Sequence, residues 1–236
     1  MRRLVIDIEV IAEDWEGIDV VTQEVLTKSL GEDDGSDEYQ KALEKIKEQI
    51  VFSPLTGEIV AIGVLDVEQE KGVVYFQDGG TNLEPFEEEG VAYKPTSEKE
   101  MLQGFWQGAL NYQEFITFNG RGFDLPYIIA RSGVHKVKVT KDLMSHRFLG
   151  QMRFGEVHID LQEMVSYYGA VWKPGGLHMW CRAMGITSPK EAGVAGDDVG
   201  RLYREGEYEN IARYNARDLW ATRDLYHRWR EFMRPN

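Results

Sequence analysis

The sequence predicts an α/β protein with a mixed central sheet and helices on both faces. Short apolar strands are joined first by tight turns and later by helix-length crossovers, the pattern of a sheet with both antiparallel and parallel pairs. The N-terminal strand is apolar on both faces, which suits the interior of a sheet covered by helices. With 236 residues, of which 42% are hydrophobic, the chain can bury one large core. We therefore expect residues 1–236 to form a single domain.

The N-terminal half contains three predicted strands and one acidic excursion. Residues 2–10 form the most apolar strand, so we place it centrally in the sheet. Residues 11–50 are acidic and read as an insertion or lid, with helical spacing only over 38–50. A hairpin is predicted over 57–77, and an acidic loop over 78–97.

The C-terminal half alternates strands with helices and then becomes helical. Ser97 and Glu100 form a capping box that begins a helix. A short strand at 114–118 runs into a glycine-containing turn, and a helix begins at Asp124. The remaining predicted elements are a strand at 157–161, helices at 162–169 and 176–184, a helix capped by Asp197 or Asp198 that ends near Gly206, and a last helix at 207–231.

The net charge of −13 alone argues against a nucleic-acid binder, but the charge is unevenly distributed. Residues 1–100 contain nine Lys or Arg against 25 Asp or Glu, whereas the remainder has a slight basic excess. A local basic surface is predicted within 121–153, with a merely solvated loop face as the alternative; its cations are Arg121, Arg131, Lys136, Lys138, Lys141, Arg147 and Arg153.

Cellular location is indicated only indirectly. The single cysteine, Cys181, excludes an internal disulfide and fits a reducing cytoplasm. The apolar runs are too short to span a bilayer, and the acidic N-terminal strand is unlike a signal peptide. We expect a cytoplasmic protein with no membrane partner.

Asp7 and Glu9 interrupt the first strand and point to the same face, because they are two residues apart. Two like charges on a buried strand are destabilising unless a cation pairs with them. The strand itself supplies no lysine or arginine beside them, and hard oxygen ligands favour Mg²⁺ or Mn²⁺. The alternative is an exposed strand end.

Two further segments carry candidate acids. In "YNARD", Tyr214 and Asp218 are four residues apart and lie on the apolar face of the last helix. The alternative there is a salt bridge from Asp218 to Arg213 or Arg217. In "FNGRGFDLPYI", Asp124 opens a helix, which a simple N-terminal acid also explains.

Taken together, "DIE", N-x-x-x-F-D and Y-x-x-x-D resemble the three motifs of the DEDD superfamily of 3′–5′ exonucleases, which have a ribonuclease H-like fold. The tyrosine matches the DEDDy branch, which includes the proofreading domains of family A and family B DNA polymerases and ribonuclease D. The second motif is most similar to the family B type. "VHIDLQEMVSYYGA" and "GRLYREGEYENIARYNARDL" resemble stand-alone bacterial proteins related to that polymerase domain.

The resemblance implies a role for each motif residue. Asp7, Glu9 and Asp218 would hold one divalent ion, and Asp7 with Asp124 nearby would hold a second, both Mg²⁺ or Mn²⁺. Tyr214 would orient the attacking water. Candidate substrate contacts are Ile8, Asn119 and Phe123 around the motifs, and Lys136, Lys138 and Lys141 in the basic segment.

The implied activity is metal-dependent removal of nucleoside 5′-monophosphates from the 3′ end of single-stranded nucleic acid, preferably DNA. Two alternatives keep the fold: a structure-specific endonuclease and a catalytically weak or inactive nucleic-acid-binding module. The chain has no polymerase motif, so a role in proofreading or DNA repair requires a separate partner.

Other polar and aromatic residues receive structural interpretations. Asp160 reads as a strand-end acid, with support of the site as the alternative. His158 and His178 lack metal-ligand spacing, and the tryptophans Trp106, Trp172 and Trp180 are expected in the core rather than as base-stacking platforms.

Overall fold

A seven-stranded sheet forms the centre of the molecule. The structure, a computed structural model, describes residues 2–148, 157–193 and 196–234. The strands are β1 (Arg3–Ala12), β2 (Gly57–Asp66), β3 (Lys71–Phe76), β4 (Phe86–Glu88), β5 (Val91–Pro95), β6 (Glu114–Thr117) and β7 (Val157–Asp160). The helices are α1 (Val20–Thr27), α2 (Asp37–Gln49), α3 (Glu98–Ala109), α4 (Asp124–Val134), α5 (Leu161–Val165), α6 (Leu177–Met184), α7 (Val199–Arg204) and α8 (Tyr208–Phe232).

The strand order is β4-β5-β3-β2-β1-β6-β7, so β1 lies inside the sheet as predicted. It pairs antiparallel with β2 and parallel with β6, and β6 pairs parallel with β7. The sheet is therefore mixed. Because β1, β6 and β7 run in the same direction, their carboxyl ends face the same edge of the sheet.

Helices cover both faces, which confirms the predicted class. On one face, α3 and α4 pack over the alternate β1 side chains Leu4, Ile6 and Ile8. On the other, Val5 of β1 packs in a core shared with α5, α7 and α8. Asp7 and Glu9 follow Val5 at intervals of two and therefore face α8.

Several element predictions were correct and others were wrong. The 57–77 hairpin is formed by β2 and β3. The segment 78–97 is not only loop, because it contains β4 and the strand β5, which pairs parallel with β3. Residues 11–36 were predicted without structure, yet β1 continues to Ala12 and α1 forms; the interpretation of 11–50 as an insertion stays a prediction.

The C-terminal helices begin close to their predicted starts. The helix predicted at 162–169 ends at Val165, because Tyr167 and Tyr168 adopt positive φ values that terminate it. The last helix, α8, extends over nearly the predicted range. Among the described residues, no helix has the length and apolar character that crossing a membrane requires.

Gly63 allows α8 to approach the sheet next to Asp7. It is the register partner of Asp7 on β2, and a Cβ there would lie 1.9 Å from Oδ1 of Asn215 in α8. A side chain at this position would push the helix, and the acid it carries, away from β1.

We expect Gly63→Ala to destabilise the protein by about 1–3 kcal/mol through overpacking. The measurement is urea unfolding. Gly108→Ala in α3 is the matched control, because its Cβ meets nothing within 4 Å and alanine favours a helix. Equal stability of Gly63→Ala and the wild-type protein would show that α8 tolerates a shift.

Candidate metal centre

Three carboxylates from β1 and α8 meet beneath the last helix. One oxygen each of Asp7, Glu9 and Asp218 can be chosen so that all lie within 4.8 Å of one another. Glu9 is 7% and Asp218 8% exposed, and Asp7 is half-buried. The first and third motifs, separated by more than 200 residues, thus form one cluster.

Asn215 fixes the orientation of Asp7. Its Nδ2 donates a hydrogen bond of 2.8 Å to Oδ2 of Asp7, and its side chain is fully buried. Asn215 was not identified from the sequence, although it stands inside "YNARD" next to Tyr214. Its position beside Tyr214 in that motif was the one available signal.

Asp124, the second-motif acid, lies at the start of α4 and is buried. Its Oδ1 accepts a hydrogen bond of 3.1 Å from the backbone N–H of Ile8, between the two acids of β1. Its charge raises the pKa of both Asp7 and Glu9, so it faces the cluster. It is outside the tight group of three.

The turn that carries Asn119 is held by Asp160 at the end of β7. Its carboxylate accepts the backbone N–H groups of Asn119 and Arg121, both at 2.9 Å, and that of Gln162 at 3.0 Å. Asn119 itself has a positive φ of 63° and an exposed side chain. The structure thus favours the supporting role that the sequence analysis ranked second for Asp160.

Burial raises the pKa of all four acids, and repulsion from neighbouring acids adds to the effect for Asp7, Glu9 and Asp124. Burial raises the pKa of Asp7 well above its usual value, and the charges of Asp218, Asp124 and Glu9 raise it further. Burial likewise raises the pKa of Glu9 strongly. It raises the pKa of Asp124 and of Asp218 to about 7.

A cluster of this kind fits a divalent cation. Its donors are carboxylate oxygens, which are the ligands that Mg²⁺ and Mn²⁺ prefer, and neither histidine nor cysteine belongs to it. Burial, with repulsion between neighbouring acids, disfavours the charged carboxylates, and a bound cation would stabilise them.

Tyr214 lies one helical turn before Asp218 and is 6% exposed. Burial, followed by the charges of Asp218, Glu9 and Asp7, raises the pKa of its hydroxyl, which therefore keeps its proton. As a donor, the hydroxyl lowers the pKa of Asp218. The tyrosine is thus a neutral hydrogen-bonding group at the edge of the carboxylates.

Two cations lie near Asp218: Arg217, which the sequence offered as a partner, and Lys190, which it did not indicate. The charges of Arg217 and Lys190 both lower the pKa of Asp218. Among the contacts of the described residues, Asp218 has no ion pair with Arg213 or Arg217, and Arg213 binds Glu88 and Glu209 instead. Lys190 approaches the site from the segment after α6. No local sequence pattern predicts this tertiary contact.

The predicted substrate contacts fall into two groups. Asn119 and Phe123 lie on the turn before Asp124, and Phe123 packs against Phe52 and Tyr127. The side chain of Ile8 is 5% exposed in the α3 and α4 core, so we do not retain it as a substrate contact.

The basic segment lies farther from the acids than the sequence suggested. Lys136 and Lys138 are exposed beyond the carboxyl end of α4, whereas Asp124 begins that helix. Nζ of Lys141 lies 3.2 Å from the carbonyl oxygen of Tyr112, which precedes β6 at the opposite edge of the sheet. Their substrate contact stays a prediction, and Arg153 falls outside the described residues.

Two arginines of the same segment are engaged inside the protein. Arg131 pairs with Glu98 at 2.6 Å, and Arg121 donates to the carbonyl oxygens of Met144 and His146. These two arginines stabilise the fold, and they are less available to a ligand than the predicted basic surface requires.

The tryptophan and histidine predictions had mixed outcomes. Trp106 is buried, but the prediction for Trp172 was wrong because it is 84% exposed. His158 is buried, and burial together with Arg121 lowers its pKa to about 3, consistent with a structural histidine. His178 lies 2.7 Å from the Ser188 hydroxyl.

The metal-free protein is expected to lose stability as pH rises from about 4 to 7. Asp218 has a folded-state pKa of about 7 and a lower one when unfolded, so in this window the native state binds more protons. Its stabilising contribution is complete below the unfolded pKa and is lost as pH passes the folded value. Urea unfolding in EDTA should show Asp218→Asn gaining stability over wild type as pH increases. A pH-independent difference would contradict the shifted pKa.

Comparisons with known proteins agree with this geometry. The structure resembles that of the family B DNA polymerase from the hyperthermophilic archaeon Pyrobaculum calidifontis, with a TM-score of 0.60 and 17% identity. The similarity covers 97% of this chain and 24% of the polymerase, so the chain spans about a quarter of that protein's length. The fold is thus the ribonuclease H-like fold of a polymerase exonuclease domain.

Sequence comparison supplies the family. No curated protein matches the chain. A family described as "Predicted 3′-5′ exonuclease related to the exonuclease domain of PolB" matches residues 56–234, which include the second and third motifs. The first motif precedes the matched range and is joined to the others by the structure. The chain belongs to this family of predicted 3′–5′ exonucleases related to the exonuclease domain of PolB.

Proposed function

We propose that this protein is a metal-dependent 3′–5′ exonuclease that releases nucleoside 5′-monophosphates from single-stranded nucleic acid, preferably DNA. The observation that carries the proposal is the convergence of Asp7, Glu9 and Asp218 beneath a helix that also presents Tyr214. Family membership supports the reaction class.

Four acids would hold two divalent ions, Mg²⁺ or Mn²⁺. Asp7, Glu9 and Asp218 suit one ion because their oxygens converge, and Asp7 with Asp124 nearby suits the second. When bound, such a pair stabilises the attacking and leaving oxygens of an in-line phosphoryl displacement. Asn215 keeps the shared ligand, Asp7, in one orientation.

The other residues bind and orient the reactants. The protonated hydroxyl of Tyr214 can hold the attacking water by a hydrogen bond while Asp218 limits its rotation. Asn119, on the turn anchored by Asp160, suits contact with the backbone of the terminal nucleotide. Phe123, between Phe52 and Tyr127, suits contact with its base or sugar.

Partners follow from the reaction. A 3′ end of single-stranded nucleic acid is the ligand, and Lys136, Lys138 and Lys141 would contact phosphates only well upstream of that end. A polymerase or a repair protein would supply the ends. A reducing cytoplasm suits the one cysteine, Cys181, which is buried.

Metal dependence is the experiment that tests this function. We expect no hydrolysis of a single-stranded oligonucleotide in EDTA, because no cation is then present to stabilise the attacking and leaving oxygens, and recovery on adding Mg²⁺ or Mn²⁺. Release of mononucleotide is measured, with matched DNA and RNA strands and with Ca²⁺ as the control cation. Full activity in EDTA would exclude the carboxylate centre as the source of hydrolysis.

A further inference from the structure

A segment between α5 and α6, residues 166–176, exposes three large aromatic side chains. Tyr167 is 58%, Tyr168 38% and Trp172 84% exposed. Tyrosine and tryptophan gain most of their stabilisation from burial, so three such side chains left in solvent contribute little to folding. Several exposed aromatic side chains within one short segment are typical of a binding surface. We call residues 166–176 the aromatic segment.

The backbone of the aromatic segment is unusual for its residues. Tyr167, Tyr168 and Lys173 have φ values of 51°, 56° and 49°, in the left-handed region that bulky side chains rarely adopt. Glycine would occupy these positions with less strain. Strain of this kind is characteristic of functional sites, where the side chain is needed at that position.

The charge around the aromatic segment opposes that of the whole chain. Residues 164–190 contain no Asp or Glu, whereas the chain has a net charge of −13. The same range contains Lys173, Arg182 and Lys190. The Lys173 ammonium lies 4.8 Å from the centre of the Trp172 ring, so cation and aromatic surface are adjacent. This combination is complementary to a polyanion that also has flat apolar rings.

The aromatic segment is linked to the turn beside the carboxylates through Glu163 of α5. Arg121, on that turn, lies 3.8 Å from the Glu163 carboxylate in α5. The backbone N–H of Tyr168 donates to the Glu163 carbonyl oxygen at 2.7 Å, and its ring contacts Phe148. A strand leaving the site past Asn119 can therefore continue onto this surface.

We propose that Tyr167, Tyr168 and Trp172 form a stacking platform for unpaired bases of a nucleic-acid strand whose 3′ end lies at the metal centre. The position of the 3′ end rests on the proposed function, whereas the stacking itself does not. Base–aromatic stacking accepts every base, as a nuclease that advances along a strand requires. Lys173 lies beside the platform, where it can contact a phosphate.

Binding to Trp172→Ala is the direct test. In EDTA, anisotropy of a labelled 12-nucleotide single strand is expected to show affinity about tenfold weaker than for wild type, the loss typical of one stacked base. Trp172→Phe should retain most of the affinity. Wild type and Trp172→Ala should bind a base-free strand of the same length with equal affinity, because only the phosphates of that strand contact the protein.

Two controls separate this proposal from the proposed function. Phe232→Ala removes another aromatic side chain, 68% exposed at the end of α8, and should leave affinity unchanged. Hydrolysis of the 12-mer by wild type and by Trp172→Ala, with Mn²⁺ present, is the separate readout of the proposed function. If wild type hydrolyses strands but Trp172→Ala binds the 12-mer as tightly as wild type does, the platform proposal is wrong and the exonuclease proposal stands. If neither protein hydrolyses but the affinity difference is present, the platform stands and the exonuclease is wrong.

The remaining outcomes overturn stacking. If Trp172→Ala loses as much affinity for the base-free strand as for the 12-mer, Trp172 acts through charge or local structure. Absence of 12-mer binding by the wild-type protein would assign the aromatic surface to another kind of partner, such as a protein.

Discussion

Asp7→Asn is expected to abolish hydrolysis while the fold persists. Asp7 is the ligand common to both proposed ions, so its loss should exceed the roughly 10- to 100-fold effect of altering a residue behind a metal ligand. Asparagine keeps the volume and offers an oxygen to Nδ2 of Asn215, which now bonds Asp7. Alanine would leave that buried amide unpaired and add a stability cost of about 1–3 kcal/mol.

The same substitution should stabilise the metal-free protein at pH 8. Burial and three neighbouring acids raise the pKa of Asp7, so its charge is unfavourable in the native state without a cation. Turnover and thermal unfolding in EDTA are measured together. Glu44→Gln, on exposed α2, is the control and should change neither. Turnover by Asp7→Asn near the wild-type rate would remove Asp7 from the metal centre.

Tyr214→Phe is expected to lower turnover by about 10²-fold with little change in strand affinity. The substitution keeps the buried ring and deletes the hydroxyl, and losses of this size are typical for a group that positions a reactant. Because burial and the nearby acids keep this hydroxyl protonated, the remaining activity should show the same pH profile below pH 9.

Tyr208→Phe provides the matched control for Tyr214. It removes a hydroxyl from the same helix, but Tyr208 packs against Tyr203 and lies beside Gly79, away from the acids. Single-turnover hydrolysis and strand binding separate chemistry from affinity. Equal turnover in Tyr214→Phe and wild type would make Tyr214 a packing residue.

The sequence predicted the carboxylate cluster because its residues lie on regular elements. The two-residue spacing of Asp7 and Glu9 on a strand and the four-residue spacing of Tyr214 and Asp218 on a helix each specify one face. The apolar pattern around them showed which face is buried. The structure confirms that these faces meet, as the resemblance between the three motifs and a known family implied.

The parts that could not be predicted depend on tertiary approach. Lys190 reaches Asp218 through the packing of the segment after α6, and Gly63 matters only because Asn215 lies over it. The two short strands β4 and β5 form because they pair with each other and β5 pairs with β3. Their acidic sequence does not predict strands. Trp172 was assigned to the core from its residue type alone, but the local backbone conformation leaves its side chain exposed.

Product analysis on a 5′-labelled single strand tests the central claim most directly. With Mn²⁺, wild-type protein is predicted to give a ladder that shortens from the 3′ end one nucleotide at a time, with 5′-mononucleotides released, while Asp7→Asn leaves the strand intact. Internal cuts would indicate an endonuclease. An intact strand with wild-type protein, or the same ladder with Asp7→Asn, would contradict the assignment of hydrolysis to the carboxylates of β1 and α8.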